Sequence, residues 1–204
     1  MAKPVPWLQP GVACGGVLPA VLMGVRAWRG ELGANPISQA LNELGLLALT
    51  LLIASLACTP AQKLLQWTWT VRIRRTLGLL AFGYVTAHFL VYLLLDLRLD
   101  LKTLLQDLAK RPFITVGFLA WLLLIPIALT STDKMIRRLG FVKWKRLHRL
   151  AYVCAGLGAV HFIWRVKKDL TEPLLYAFVL VVLLGLRAFK ARKPPVKPFA
   201  NARV

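Results

Sequence analysis

Acidic residues, cysteines and cofactor-binding motifs are scarce in this chain. Only eight of its 204 residues are Asp or Glu and three are Cys, against 27 Lys or Arg. No GxGxxG or Walker pattern occurs, and no soluble stretch is long enough to hold a nicotinamide or flavin domain. The cysteines stand singly at positions 14, 58 and 154, without a CxxC pair or a CxxCH motif. Because Fe–S clusters and covalently attached haem use those patterns, neither is expected here.

Hydrophobic residues, by contrast, make up 58% of the chain, above the roughly 45–50% of an ordinary soluble domain. Six segments contain no Asp, Glu, Lys or Arg, and they are residues 4–25, 44–62, 76–95, 112–132, 150–164 and 173–186. The first four reach the length of about 17–25 residues that a membrane-spanning helix needs. The last two are shorter, but the stems of flanking Arg and Lys side chains extend to the interface. The sequence therefore predicts an all-α, polytopic membrane helix bundle of about six transmembrane helices.

The basic residues are distributed unevenly between the predicted loops. If the amino terminus is cytoplasmic, 18 basic residues and one acidic residue fall on that side, and nine basic and seven acidic residues fall on the other. This positive-inside asymmetry predicts that both termini are cytoplasmic. The net charge of +19 then reflects topology and contact with anionic membrane lipids, and no nucleic-acid partner is expected. Residues 1–189 form a single predicted transmembrane domain, followed by a basic, disordered cytoplasmic tail at 190–204.

The chain has three histidines, His88, His148 and His161, and each lies in or at the edge of an uncharged segment. An ionisable side chain inside a membrane usually has a function, and imidazole is a good ligand of haem iron. The predicted topology puts His88 and His161 at one depth in the outer half and His148 near the cytoplasmic end. We therefore predict one b-type haem between His88 and His161 and leave open a second, inner haem at His148. The alternatives are histidines that only hydrogen-bond another helix and, for His148, a solvated side chain at the interface.

Arg74 is a further candidate for the inner half of the site. It precedes His88 by 14 positions, about 40° short of whole helical turns, so the two side chains share a face. An arginine there can pair with a haem propionate, a flavin phosphate or a quinone oxygen. The alternative is a membrane anchor beside Arg72 and Arg75.

Nine short motifs occur along the chain in a fixed order. They are LGANP at 32–36, TP at 59–60, RRTLGL at 74–79, TAHFLVY at 86–92, RPF at 111–113, LTSTDKMIRRLG at 129–140, RLHRLAYV at 146–153, VHFIW at 160–164 and EPLLYA at 172–177. Together they resemble the MsrQ family (also named YedZ), the haem-binding membrane subunits of the bacterial periplasmic protein-methionine-sulfoxide reductase system. More distantly, the sequence is similar to the ferric reductase and NADPH oxidase transmembrane domains.

The resemblance implies a multi-pass protein of the bacterial inner membrane with b-type haem and FMN. It implies a non-catalytic subunit that takes electrons from quinones, or from a cytosolic flavin reductase, and passes them to a periplasmic molybdopterin-containing methionine sulfoxide reductase. The family's histidines fall on His88, His148 and His161, and its arginine falls on Arg74. The ferric reductase domains carry two histidines on the third helix, and here Arg74 occupies the inner position. A stand-alone ferric or quinone reductase, and a haem-free transporter or scaffold, are the alternative functions.

Overall fold

The computed structural model describes residues 6–191, with side chains described as far as residue 187. Every regular element in this part of the chain is helical. The helices are α1 (Leu8–Trp28), α2 (Pro36–Leu64), α3 (Thr70–Val91) with a π-helical continuation at Tyr92–Asp96, α4 (Leu101–Lys110), α5 (Pro112–Leu129), α6 (Asp133–Leu139), α7 (Phe141–Leu147), α8 (Leu150–Arg165) and α9 (Thr171–Ala191). The predicted all-α class is confirmed. The predicted tail at 190–204 begins inside α9, and from residue 192 it lies outside the described residues.

Four helices of the described chain are long and apolar enough to cross a membrane. They are α1, α2, the continuous helix Thr70–Asp96 and α5, and they match the first four predicted spans. Helix α8 has 16 residues, which corresponds to about 24 Å. Neither α8 nor α9 meets the same requirement of length and hydropathy over the described residues. The fifth and sixth spans, and the cytoplasmic placement of both termini, therefore stay predictions.

Local sequence signals determine where several helices begin. Asn35 caps α2, because its side chain accepts a hydrogen bond from the backbone N–H of Ser38 at 3.1 Å. Asp100 caps α4 and Thr132 caps α6 in the same way. The side-chain hydrogen bond from Thr103 to Asp100 lowers the pKa of that carboxyl below its ordinary value. The cap begins the short helix α4, in which only Asp107 is buried.

The bundle is built on two closely packed helix pairs, α2 with α3 and α5 with α8. A buried cluster joins both pairs to α9, and its members are Leu52, Leu56, Ala81, Leu124, Cys154, Ala155, Ala159 and Leu180. Small side chains such as Ala81 and Ala155 let helix backbones approach closely, which matters because van der Waals packing is a main source of helix association in lipid. Two of the cysteines thus differ in environment, since Cys154 belongs to this core and Cys14 is exposed.

Helix α1 packs against α3, and Tyr84 joins the two. Its hydroxyl donates a hydrogen bond to the Gly16 carbonyl at 2.6 Å and accepts one from the Ala20 backbone N–H at 3.2 Å. We expect Tyr84→Phe to lower the free energy of unfolding by about 1 kcal/mol, because both backbone groups lose this partner. Thermal unfolding in detergent measures the change. Tyr176→Phe is the control, because the Tyr176 hydroxyl pairs with an exposed Thr50, and equal losses in the two variants would contradict the account.

Candidate functional site

A cavity of about 280 Å³ lies between α2, α3, α5 and α8 in the described part of the chain. Its wall is mostly apolar, and the ring centroids of Phe89 and Trp121 in that wall are 4.4 Å apart. His88 from α3 and His161 from α8 also line it. Their ring centroids are 6.2 Å apart and their planes are at 90°. The two histidines that were predicted to share one depth are therefore neighbours in the folded chain.

Each of these two imidazoles is held by a backbone carbonyl of a neighbouring helix. The Nδ1 atom of His88 lies 2.9 Å from the carbonyl oxygen of Leu41, and the Nδ1 atom of His161 lies 2.7 Å from that of Phe113. A carbonyl oxygen only accepts hydrogen bonds, so Nδ1 carries the proton in both rings. The Nε2 atom of each ring then keeps its lone pair for a ligand bond. A histidine that binds a metal usually has its other ring nitrogen fixed in this way.

The separation of the two rings suits one metal ion between them. An imidazole nitrogen binds a first-row metal ion at about 2.0–2.1 Å, and the ring centroid lies roughly 1.1 Å behind it, so two opposed ligands have centroids about 6.2–6.4 Å apart. The observed distance is 6.2 Å. No group of three or more His, Cys, Asp or Glu side chains that could hold a metal ion is found among the described residues. Two axial imidazoles suit haem iron, whose remaining ligands are the porphyrin nitrogens.

Charged and polar side chains line one part of the cavity, at the C-terminal ends of α3 and α8. Arg165 lines it one helical turn beyond His161, near enough for its charge to act on both imidazoles. Arg111 also lines it and forms an ion pair with Asp107 at 3.2 Å. Asp107 is buried, and it accepts a second hydrogen bond from the Tyr92 hydroxyl at 2.6 Å. This network attaches α4 to the cavity wall.

His148 lies apart from the pair, at the end of α7 and before the start of α8. Its ring packs on Trp144, with centroids 4.0 Å apart, and its Nε2 atom lies 3.1 Å from the Thr130 hydroxyl. That hydroxyl donates to the Pro126 carbonyl at 2.6 Å, so the His148 Nε2 atom is the donor in the shared bond. Its Nδ1 atom is then the nitrogen with a free lone pair. Because the chain has only three histidines, no second imidazole is available to a metal here.

Arg74 lies at the same end of the bundle as His148, the end predicted to be the inner one, and is close enough for its charge to act on that imidazole. It is half-buried, whereas Arg72 and Arg75 on the same helix are exposed. Its guanidinium donates to the Thr59 hydroxyl at 3.2 Å. Arg187 is near enough for the two positive charges to repel. Among the described residues, this inner region therefore gathers cations around a partly buried arginine.

Comparison with known proteins identifies the family of this chain. The family model described as "Ferric reductase like transmembrane component" matches residues 44–159. A protein from Deinococcus radiodurans, the "Protein-methionine-sulfoxide reductase heme-binding subunit MsrQ", is 51% identical over 187 residues, 92% of this chain and 92% of the relative. The chain belongs to the MsrQ family. MsrQ proteins of Rhodospirillum rubrum and Caulobacter vibrioides are 49% and 45% identical over 180 and 179 residues, 88% of this chain in both cases and 86% and 85% of the relatives.

In this MsrQ chain the four residues singled out from the sequence form two separate groups. His88 and His161 line the cavity, whereas Arg74 and His148 lie together at the inner end. Sequence reasoning missed Arg165 and Asp107 as parts of the cavity region. The spacing of four residues from His161 to Arg165 was a usable signal, because such positions lie on one helix face. Nothing in the sequence alone indicated that Asp107 is buried against the cavity wall.

Proposed function

We propose that the chain is a b-type cytochrome subunit that carries electrons across the bacterial inner membrane to a methionine sulfoxide reductase. One observation carries the proposal: two imidazoles 6.2 Å apart, each with its Nδ1 atom on a backbone carbonyl, line one apolar cavity. His88 and His161 would hold one haem through their Nε2 atoms. Haem bound there supplies one-electron redox chemistry. The names of the MsrQ relatives, which describe heme-binding subunits of that reductase, support this function.

The chain's own residues would bind the haem, exclude water from the cavity and set the electrostatic environment of the iron. The apolar wall around Phe89 and Trp121 keeps the cavity dry, and the carbonyl bonds hold His88 and His161 in the ligating tautomer. Arg165, at the edge of the cavity, offers a cation to the carboxylates of a haem. We assign no substrate-transforming residue to this chain, so the reduction of methionine sulfoxide belongs to the periplasmic, molybdopterin-containing partner.

The inner group is the proposed entry point for electrons. Arg74 and His148 present a guanidinium and an imidazole on the side that the positive-inside rule makes cytoplasmic. A guanidinium there suits the phosphate of FMN, a quinone oxygen or a propionate of a second haem at His148. The donor is a membrane quinol or a cytosolic flavin reductase. We further propose that residues 1–189 act as one haem-binding domain and that the tail at 190–204 remains cytoplasmic.

Arg165 gives a direct test of the electrostatic part of this proposal. Arg165 lines the same cavity as both imidazoles, near enough for its positive charge to act on them, and this charge would favour the reduced, less positive state of the iron. We expect Arg165→Gln to lower the midpoint potential of the haem by tens of millivolts, measured by spectroelectrochemical titration. Lys168→Gln is the matched control, because it removes an exposed cation three residues further on. A potential that is unchanged in Arg165→Gln, or shifted equally in both variants, would contradict this role.

A stand-alone ferric reductase is the second candidate, because the matching family model carries that description. The two functions differ in the acceptor. The purified protein in lipid vesicles is first reduced with quinol, and the haem absorbance is then followed after adding either ferric citrate or the reductase subunit with methionine sulfoxide. Rapid reoxidation only with the subunit supports the proposed function, whereas equal reoxidation by ferric citrate alone favours the alternative. A protein that binds no haem would contradict both and support a transporter or scaffold.

A further inference from the structure

We propose that Gly45 and Gly117 are positioning residues that seat the two imidazoles of the cavity. The inference rests on the proposed function, because it assigns a role to these glycines in holding the haem ligands. Each glycine lies on a helix that contributes no histidine to the pair, α2 for Gly45 and α5 for Gly117. Together with a carbonyl four residues before it, each forms what we call a glycine seat. The chain thus uses one device twice, once in each of its two closely packed helix pairs.

The first seat, on α2, receives His88. A Cβ atom built on Gly45 would lie 3.2 Å from Nδ1 and 3.3 Å from Cε1 of that ring. The carbonyl that binds Nδ1 belongs to Leu41, which is four residues before Gly45. The imidazole therefore packs against the bare Cα of one residue while it donates to the carbonyl of the preceding turn.

The second seat, on α5, receives His161 and is tighter. A Cβ atom on Gly117 would lie 2.7 Å from Nδ1, 2.9 Å from Cε1 and 3.2 Å from Cγ of the ring. The carbonyl that binds Nδ1 belongs to Phe113, again four residues before the glycine. Real carbon atoms do not approach a ring this closely, so any side chain at position 117 must displace the imidazole or the helix.

The spacing of four residues has a physical reason. In an α-helix the carbonyl of residue i accepts from the N–H of residue i+4, which leaves the second lone pair of that oxygen free. The Cβ bond of residue i+4 tilts toward the amino terminus, so its side chain covers the turn that carries this carbonyl. A glycine at i+4 has no side chain, so the carbonyl of residue i is left uncovered. An imidazole from another helix can then approach and donate its Nδ1 proton to the same oxygen.

Two seats together determine the relation between the rings. Each seat sets the tautomer, the direction of the Nε2 lone pair and the rotation of its ring. The two ring planes are at 90°, and each seat holds its own ring in this orientation. If both imidazoles bind one low-spin ferric haem, their perpendicular planes would give it a strongly anisotropic EPR signal. The seats therefore leave a spectroscopic signature that is independent of electron-transfer activity.

The test adds one methyl group at each seat and at matched positions elsewhere. Gly117→Ala and Gly45→Ala are compared with Gly83→Ala on α3 and Gly156→Ala on α8, where a Cβ atom meets nothing within 4 Å. All four changes favour helix formation, so a loss confined to the seats cannot arise from helix propensity. Losing a residue that positions a metal ligand typically weakens metal binding by about 10–100-fold, and we expect a loss of haem affinity of this size in Gly117→Ala. Gly45→Ala should lose less and shift the EPR signal, and the controls should match the parent protein.

The readouts separate this inference from the proposed function. If His88→Ala and His161→Ala keep the haem, the proposed function fails whatever the glycine variants do. If those variants lose haem while Gly117→Ala and Gly45→Ala keep the parent affinity and EPR signal, only the seat proposal is overturned. Should Gly117→Ala fail to give a monodisperse protein, the decision rests on Gly45→Ala. An unchanged EPR signal and affinity in that variant would then overturn the proposal.

Discussion

Replacing either His88 or His161 by alanine is expected to reduce the low-spin haem absorbance of the outer site to the background of haem-free protein. The ring centroids of the two imidazoles are 6.2 Å apart in one cavity, and no third histidine is among the described residues that line it. After the loss of one imidazole, the remaining histidine alone would not hold the haem as the pair does. A pyridine haemochrome assay of the purified variants measures the haem content, and the visible spectrum reports the spin state.

His148→Ala is the control for this result. His148 lies outside the cavity, on Trp144 and Thr130, so its loss should leave the absorbance of the outer haem in place. If a second haem is bound near His148, the haem content of this variant falls while the outer spectrum persists. Full haem content in both His88→Ala and His161→Ala would contradict the assignment of the ligands.

Replacing Arg74 by alanine is expected to uncouple the donor from the haem. The guanidinium is half-buried near His148 and is bonded to Thr59, and a charge-assisted hydrogen bond of this kind contributes roughly 1.5–3 kcal/mol. For a ligand phosphate bound by Arg74, that corresponds to roughly 10–100-fold weaker binding. We therefore expect Arg74→Ala to lose FMN retention by this factor and to slow haem reduction by quinol or a flavin reductase. The outer haem should keep its content and spectrum.

Arg72→Ala is the matched control for Arg74. It removes the same charge from the same helix, but Arg72 is exposed and lies on a different helical face. A membrane anchor would be weakened by either change, whereas a ligand site should respond only to the loss of Arg74. Similar slowing of haem reduction in both variants would therefore contradict a ligand-binding role of Arg74 and favour a membrane anchor.

The sequence could predict the class of fold because its signals are local. Uncharged segments of about 20 residues have few stable conformations in a membrane other than a helix, and four such segments form helices long and apolar enough to cross one. The fifth and sixth segments were harder, since α8 has only 16 residues and its membrane placement depends on flanking side chains. Motif order was informative for a different reason. It captured similarity along the whole chain, and the relatives confirm the family.

The sequence also predicted part of the site through depth alone. Counting residues from each charged end put His88 and His161 at one level, and the cavity brings them together. Counting did not reveal the ring orientation, the two carbonyl acceptors or the burial of Asp107. Those features depend on the side of each helix that faces its neighbour, and two sequences with the same hydropathy can differ in that rotation. For the same reason, nothing in the sequence distinguishes Gly45 and Gly117 from the other glycines of the uncharged segments.

By itself, then, the sequence determined an all-α membrane chain of the MsrQ family and the histidines worth testing. These follow from composition, charge asymmetry and motif order, which need no knowledge of packing. Only the tertiary structure decided how the rings of His88 and His161 are oriented, that Arg165 lines their cavity, and that glycines on α2 and α5 admit the imidazoles. Such contacts arise between helices that are distant in sequence, and they depend on helix rotation and close approach.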